Sequence, residues 1–269
     1  MENFYICHPD DKKSCGACCG LYNYENFDRQ TVSAALAFRT DLFAAMKPRE
    51  GELEYFRSIV AKLDLRPRLL EEIYCCEFIG FVDDARRKVG CLIHPALGEG
   101  ADMRDHAYYG AETCTAHKCP TYNYFSAADV RPVIAALDDW YLYGMCVTDI
   151  DLLKEFYRAV SDLRGEAIRP ELIAERKTAL EIFRSYLSLK ENWPFRRGRR
   201  RFGQYIFENG SYRVADTDWE ALGVARPQEW RILRSLASDF SNADEVLGAV
   251  NQIRRLVTDM ASALSQSNH

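Results

Sequence analysis

The chain has 269 residues, 48% of them hydrophobic, with 35 basic and 40 acidic side chains and a net charge of −5. That supplies enough apolar material for one large domain or two modest ones, and the acidic balance argues against a general nucleic-acid binder. No run approaches the roughly 18 consecutive apolar residues that span a bilayer. The opening MENFYICHPDDKKS also lacks the basic start and apolar core of a secretory signal, so the expected location is the cytoplasm, where thiols stay reduced.

Residues 1–24 read as an irregular loop rich in Gly, Cys and Tyr. Asp28 is placed to cap a helix running to Met46, with Val32, Ala35, Leu36, Leu42, Phe43 and Met46 on one face and Lys47-Pro48 ending it. A second helix carries Leu53, Phe56, Val60 and Leu63 and stops near Arg66-Pro67; a short third one, with Leu69, Leu70 and Ile73, leads into Cys75-Cys76. The runs 78–82 and 89–93, on either side of a polar turn, predict a small hairpin. Residues 94–125 are loop-rich, and a loop of that length in a compact protein calls for something that orders it.

The remainder predicts helices. Ser126 with Asp129 forms a capping-box pattern ahead of Val130, Val133, Ile134, Leu137 and Trp140. Thr148 with Asp151 opens a further helix, for which Gly165 is the candidate C-terminal cap. Arg169-Pro170 starts one that carries Leu172 to Leu187 and ends before Trp193-Pro194. Asn209-Gly210 between the runs 202–207 and 212–214 signals a hairpin with a type I′ turn. In the last helix Val246, Val250, Ile253, Val257, Met260 and Leu264 make a narrow seam, suited to packing within the chain or to a homodimer contact. The expected fold is mainly α. A loop-rich cysteine-cluster module with a small β element spans 1–125, and a helical bundle with one β-hairpin near 202–214 spans 126–269.

Nine of the ten cysteines precede residue 120; Cys146 alone lies beyond. They include Cys15-Gly-Ala-Cys18-Cys19, then Cys75-Cys76, Cys91, Cys114 and Cys119, with Cys7 upstream and His8, His94, His106 and His117 in the same region. Disulfide scaffolds carry roughly 8–10% Cys, well above this chain's ten in 269. Adjacent pairs and C-x2-C spacing suit thiolate ligation of a soft or borderline metal. The candidate ligands are Cys15, Cys18, Cys19, Cys76, Cys91, Cys114 and Cys119, with Cys7 and Cys75 in reserve. Such a set can hold one four-iron cluster with spare thiols, two clusters, or two zinc ions.

These residues resemble the YkgJ-like family of zinc- or iron-chelating cysteine clusters, whose signature is C-x2-C-x2-C-C. Cys15, Cys18 and Cys19 match its last three cysteines; Lys12 stands at the first, and Cys7 is the substitute. Downstream, Cys76-Glu-Phe-Ile, Gly90-Cys91-Leu-Ile-His94 and Glu112-Thr-Cys114 follow the family's order. Here His94 replaces its usual tyrosine, its Arg-Pro is missing, and the segment from Cys91 to Cys114 is expanded. The resemblance covers residues 7–125 and implies an iron–sulfur cluster or zinc. The same cluster is similar to that of flagellin lysine-N-methylases, which implies a protein-modifying enzyme as the alternative to a metal-binding module that organises a surface for a partner.

Arg196, Arg197, Arg199, Arg200 and Arg201 form a basic run that suits an anion or an acidic protein partner, or a solvated loop. Tyr108-Tyr109 and Tyr122-Asn-Tyr124-Phe125 are expected to shield the late cysteines. His106 with Asp102 or Asp105 suits surface hydrogen bonding or an acid–base pair. There is no glycine-rich phosphate loop, nucleophile elbow or H-E-x-x-H.

Overall fold

A computed structural model of the chain describes residues 5–26, 28–71, 73–97, 101–197, 206–208, 211–213 and 217–265. The protein is mainly helical with small β elements, and it divides into two compact units. The first comprises residues 1–119 with 139–144, the second residues 120–138 with 145–269. No helix among the described residues is long and apolar enough to cross a membrane.

In the first unit α1 (Arg29–Met46) starts where Asp28 accepts the amide of Thr31 at 3.0 Å. Its inward face buries Val32 and Leu36 and also Arg39, an arginine that hydrophobic periodicity alone does not assign to the core. Helix α2 (Leu53–Leu63) buries Leu53, Phe56 and Val60, whereas Leu63 is exposed. Strands β1 (Ile79–Phe81) and β2 (Val89–Cys91) pair antiparallel, with Ile79 opposite Cys91, as the alternation predicts. The core joins Leu53, Phe56, Val60, Cys76, Phe78, Leu92, Ile93 and Ala107, and Phe56 stacks on Phe78 with ring centroids 5.4 Å apart.

The helix expected around Leu69 to Ile73 does not form. The Asn23 side chain takes up that segment's backbone instead: its Oδ1 accepts from Leu70 N at 2.9 Å, and its Nδ2 donates to the Leu70 and Ile73 carbonyls, both at 2.7 Å. In the stretch read as loop, α3 (Gly110–Ala116) carries Cys114, and the Asp105 carboxylate accepts the amide of Ala111 at 2.8 Å near its start.

In the second unit α4 (Thr121–Tyr124) precedes α5 (Ala127–Ala136), which opens with the expected Ser126–Asp129 capping box. Residues 140–144 of α6 (Trp140–Val147) belong to the first unit and residues 145–147 to the second. Helix α7 (Ile150–Arg164) is capped by Asp149, not Thr148: Asp149 Oδ1 accepts from Leu152 N at 3.0 Å. Gly165 ends it at φ 71°, as expected.

The helix expected after Pro170 is two, α8 (Glu171–Glu175) and α9 (Lys177–Asn192), separated at Arg176. The Arg176 backbone is extended there, and its guanidinium donates to the carbonyls of Ala263 at 3.2 Å and Leu264 at 2.7 Å. Strands β3 (Ile206–Glu208) and β4 (Ser211–Arg213) form the second hairpin; its Asn209-Gly210 turn and residues 202–205 and 214 lie outside the described residues. Helix α10 (Trp230–Ser235) packs on α7. Helix α11 (Ala243–Ser265) buries Val246, Val250, Ile253, Val257, Met260 and Leu264 and packs on α7 and α9, so the seam is used within the chain.

Candidate metal centre

The loop that carries Cys15, Cys18 and Cys19 is fixed by backbone and polar ties. Cys15 N donates to Cys7 O at 2.8 Å, which sets Cys7 beside the motif that lacks its first cysteine. Ser14 is fully buried; its Oγ donates to Val89 O at 2.8 Å and accepts from Val89 N at 2.7 Å, tying the loop to β2 and hence to Cys91. Residues 17–19 form a single 3-10 turn closed by Gly20 at φ 74°. A Cβ on Gly20 would lie 2.3 Å from Tyr74 O and 2.8 Å from Cys75 Cα, so only glycine lets this turn sit against Cys75-Cys76. At Gly16 the approach is closer to side chains: a Cβ there would lie 2.6 Å from Ile79 Cδ1, which would have to shift.

Cys76 is brought alongside by its amide, which donates to Cys19 O at 2.9 Å. Its own carbonyl accepts from Arg39 Nη1 at 3.0 Å, while Arg39 Nη2 reaches Tyr24 Oη at 3.1 Å and Asp64 Oδ2 at 2.6 Å. Leu92 N donates to Phe78 O at 2.8 Å, extending the β1–β2 ladder and drawing the Cys91 segment toward Cys76.

Cys15 Sγ accepts the amide of Ala17 at 3.5 Å. The backbone two residues on, at Phe78 and Ile93, likewise acts to lower the pKa of Cys76 and Cys91 against the larger effect of burial. An amide N–H aimed at sulfur favours thiolate over thiol. Sequence spacing gives no sign of these turns, because they depend on backbone torsions that the cysteine pattern does not encode.

The thiols sense one another as charges. Cys15 is affected by Cys18, Cys7 and Cys119; Cys19 by Cys18, Cys76 and Cys91; Cys91 by Cys114; and Cys114 by Cys18. Burial pushes Cys76 up to about 12 and Cys91 up to about 11, and the neighbouring thiols add to the burial. Cys19 donates a hydrogen bond to Cys18, which brings Cys18 down to about 7 and raises Cys19. Arg104 is the cation that favours ionisation of Cys91 and Cys114; its Nε and Nη2 hold Asp102 at 2.8 and 2.6 Å, and Nη2 holds Thr115 Oγ1 at 2.8 Å.

Of the expected ligands, Cys7, Cys15, Cys18, Cys19, Cys76, Cys91, Cys114 and Cys119 thus lie within electrostatic reach of at least one other thiol. Cys75 stands apart from them. Buried, it donates to Gly20 O at 3.4 Å and Asn23 O at 3.6 Å, and serves the Asn23 anchor. Cys146 is buried in the second unit, with Leu187 O 3.7 Å from its sulfur. All ten are free thiols. Among the described residues no three Cys, His, Asp or Glu side chains meet as a ready-made metal shell. The donor atoms themselves, thiol sulfurs, are of the kind that suits a soft or borderline metal.

Two of the histidines have polar partners of their own. His94 Nδ1 accepts from Ala96 N at 3.1 Å, and His106 Nε2 lies 3.5 Å from a Glu50 carboxylate oxygen. Burial, then Lys88 and His94, lowers His8. Tyr108 stacks on Tyr74 at 4.0 Å and Tyr109 meets both rings edge-on, an aromatic group beside Cys75-Cys76. Tyr122, Tyr124 and Phe125 belong to the second unit, where Lys154 lies 4.8 Å from the Tyr124 ring centre.

The basic run is partly structural. The Arg196 guanidinium donates to Leu236 O and Lys190 O, both at 3.0 Å, and Arg197 pairs with Glu245 at 2.6 Å. Arg199, Arg200 and Arg201 lie outside the described residues.

Compared with known proteins, the chain matches no family model, no curated protein and no solved structure. What the fold and site define is a class: a mainly helical protein whose first unit gathers free cysteines from four separate segments.

Proposed function

We propose that the chain binds a metal through these cysteines, as an iron–sulfur cluster or as zinc. The observation that supports the reading is the set of free thiols carried by separate segments of the first unit, with Cys76 N bonded to Cys19 O at 2.9 Å and Cys15 N to Cys7 O at 2.8 Å. Amide donors preorganise thiolates, and a bound cation offsets the burial and mutual repulsion that otherwise keep Cys76 and Cys91 protonated. Binding displaces those protons, so affinity rises with pH. Cys18 and Cys114 are exposed, which puts one side of the bound group at the surface, where a partner can meet it.

Metal and acid-labile sulfide analysis of anaerobically purified protein, with its visible spectrum, tests the proposal. Iron and sulfide with charge-transfer absorption, or colourless stoichiometric zinc, is the expected result. Neither metal, with the cysteines recovered as disulfides, would overturn it.

A further inference from the structure

Cys15 and Cys18 sit at the two ends of one turn, and they differ in how they meet solvent. Gly16, at φ −116° and ψ 14°, and the 3-10 turn that begins at Ala17 fold the chain back between them. A four-residue segment bent in this way holds its end Cα atoms about 6 Å apart, and a disulfide spans Cα separations of about 4.4–6.8 Å. The Cys15 sulfur accepts the amide of Ala17 at 3.5 Å, which turns it along the C-x2-C loop and not away from it. The loop is seated on β1 through Gly16, which leaves Cys18 exposed and Cys15 half-buried.

Other pairings suit a disulfide less well. Adjacent Cα atoms are about 3.8 Å apart, short of that span, which sets aside Cys18–Cys19 and Cys75–Cys76. Cys19 O accepts from Cys76 N at 2.9 Å, but Cys76 is buried in the hydrophobic cluster that Cys19 packs on, away from a dissolved reactant. Cys7, whose carbonyl accepts from Cys15 N at 2.8 Å, is the competing partner for Cys15.

From this arrangement we infer that Cys18 and Cys15 act as a thiol–disulfide exchange pair, with exposed Cys18 attacking and Cys15 resolving. The substrate is a small, exposed disulfide of the glutathione disulfide type. The Cys18 thiolate attacks one substrate sulfur, breaks the substrate S–S bond and releases one thiolate, which leaves Cys18 in a mixed disulfide. The Cys15 thiolate then attacks the Cys18 sulfur, closes the Cys15–Cys18 bond and releases the second thiolate. Two electrons pass from the pair to the substrate, and the two thiol protons go to the released thiolates. The exchange itself needs no metal. Where these thiols hold one, closing the pair withdraws two candidate ligands, and only that consequence rests on the metal-binding reading above.

The probe is glutathione disulfide, added anaerobically to the reduced full-length protein, with acid quenching, alkylation of the remaining thiols and peptide mass spectrometry. Cys15, Cys18 and Cys19 fall on one tryptic peptide, after Lys13. The expected product is that peptide short of two hydrogens, with Cys19 alkylated. Cys15→Ser should stop the reaction halfway, with Cys18 held as the mixed glutathione disulfide. Cys18→Ser should abolish both products at this loop, and circular dichroism checks that each variant folds. A Cys7–Cys15 linkage, a mixed disulfide that persists at Cys18 in the parent protein, or no oxidation of the loop would each overturn the exchange pair. Metal content of the same sample is a separate readout. Bound metal without the Cys15–Cys18 disulfide leaves the metal-binding reading and removes this inference; the disulfide without metal does the reverse.

Discussion

The two units solve the same problem, holding a chain in place, with different means. Each contains a buried ion pair. In the second, Lys190 and Asp149 are sealed from solvent 2.5 Å apart; Lys190 donates to Ser235 O at 2.6 Å, and Asp149 caps α7, so the pair locks three helices around an aromatic core of Phe156, Phe183 and Tyr186. In the first, Arg39 and Asp64 are similarly buried, but the arginine also donates to the carbonyl of Cys76 and to Tyr24 Oη. Around it, Ser14 and Asn23 likewise spend their side chains on loop backbone. Helices that bury apolar stripes need little else. Loops that present thiols need polar anchors.

That contrast can be broken or sharpened by experiment. The largest effect should follow removal of the metal, by chelation or oxidative cluster loss. Structural zinc contributes about 10–16 kcal/mol where it organises a domain, against net stabilities of about 5–15 kcal/mol. Limited proteolysis should then cut within residues 5–119 while the segment from 145 to 197 stays resistant; equal resistance of both would erase the distinction. Next, Lys190→Ala leaves Asp149 buried without its cation. Breaking a buried pair costs about 3–5 kcal/mol, so thermal unfolding should shift strongly while metal content per folded chain stays unchanged.

Gly20→Ala should come next, ahead of the loss that acid causes at Asp64. Its left-handed backbone alone costs about 1–2 kcal/mol for a residue with a Cβ, and the backbone contacts with Tyr74 O and Cys75 Cα must also be relieved. Stability should fall, and metal retention should fall with it, because the turn that places Cys18 and Cys19 against Cys76 is the part that moves. Acid should reach the first unit through Asp64. Burial alone would raise its pKa, but Arg66 and Arg39 hold the largely buried carboxylate down to about 2 from 3.8. The folded state thus binds this proton more weakly than the unfolded chain. The stabilisation is fully present above the unfolded value and is lost as pH falls from about 4 through about 2, a loss of about 2 kcal/mol. Asp64→Asn should flatten that part of the pH–stability curve.

Local signals were well written in the sequence. Asp28, the Ser126–Asp129 box and Gly165 act at the helix ends where their chemistry predicts, and the seam of α11 is apolar because it is buried. The failures are long-range. Residues 69–73 look helical until Asn23, more than forty positions earlier, claims their backbone, and the break at Arg176 follows from carbonyls at the far end of α11. The site divides the same way. Cysteine spacing marks Cys15, Cys18 and Cys19 together, but nothing in the doublet Cys75-Cys76 tells which thiol faces the others. That choice is made by Asn23 and Gly20, which take Cys75, and by the Cys19 carbonyl, which takes the amide of Cys76. Arg39 and Ser14 gave no signal, since a buried polar side chain is legible only through the distant backbone it satisfies.

X-ray absorption at the K-edge of the bound metal, on protein purified without oxygen, tests the central claim most directly. The account predicts a first shell of sulfur alone, at about 2.3 Å if the metal is zinc. A shell led by nitrogen or oxygen would contradict it, and so would the absence of any bound metal.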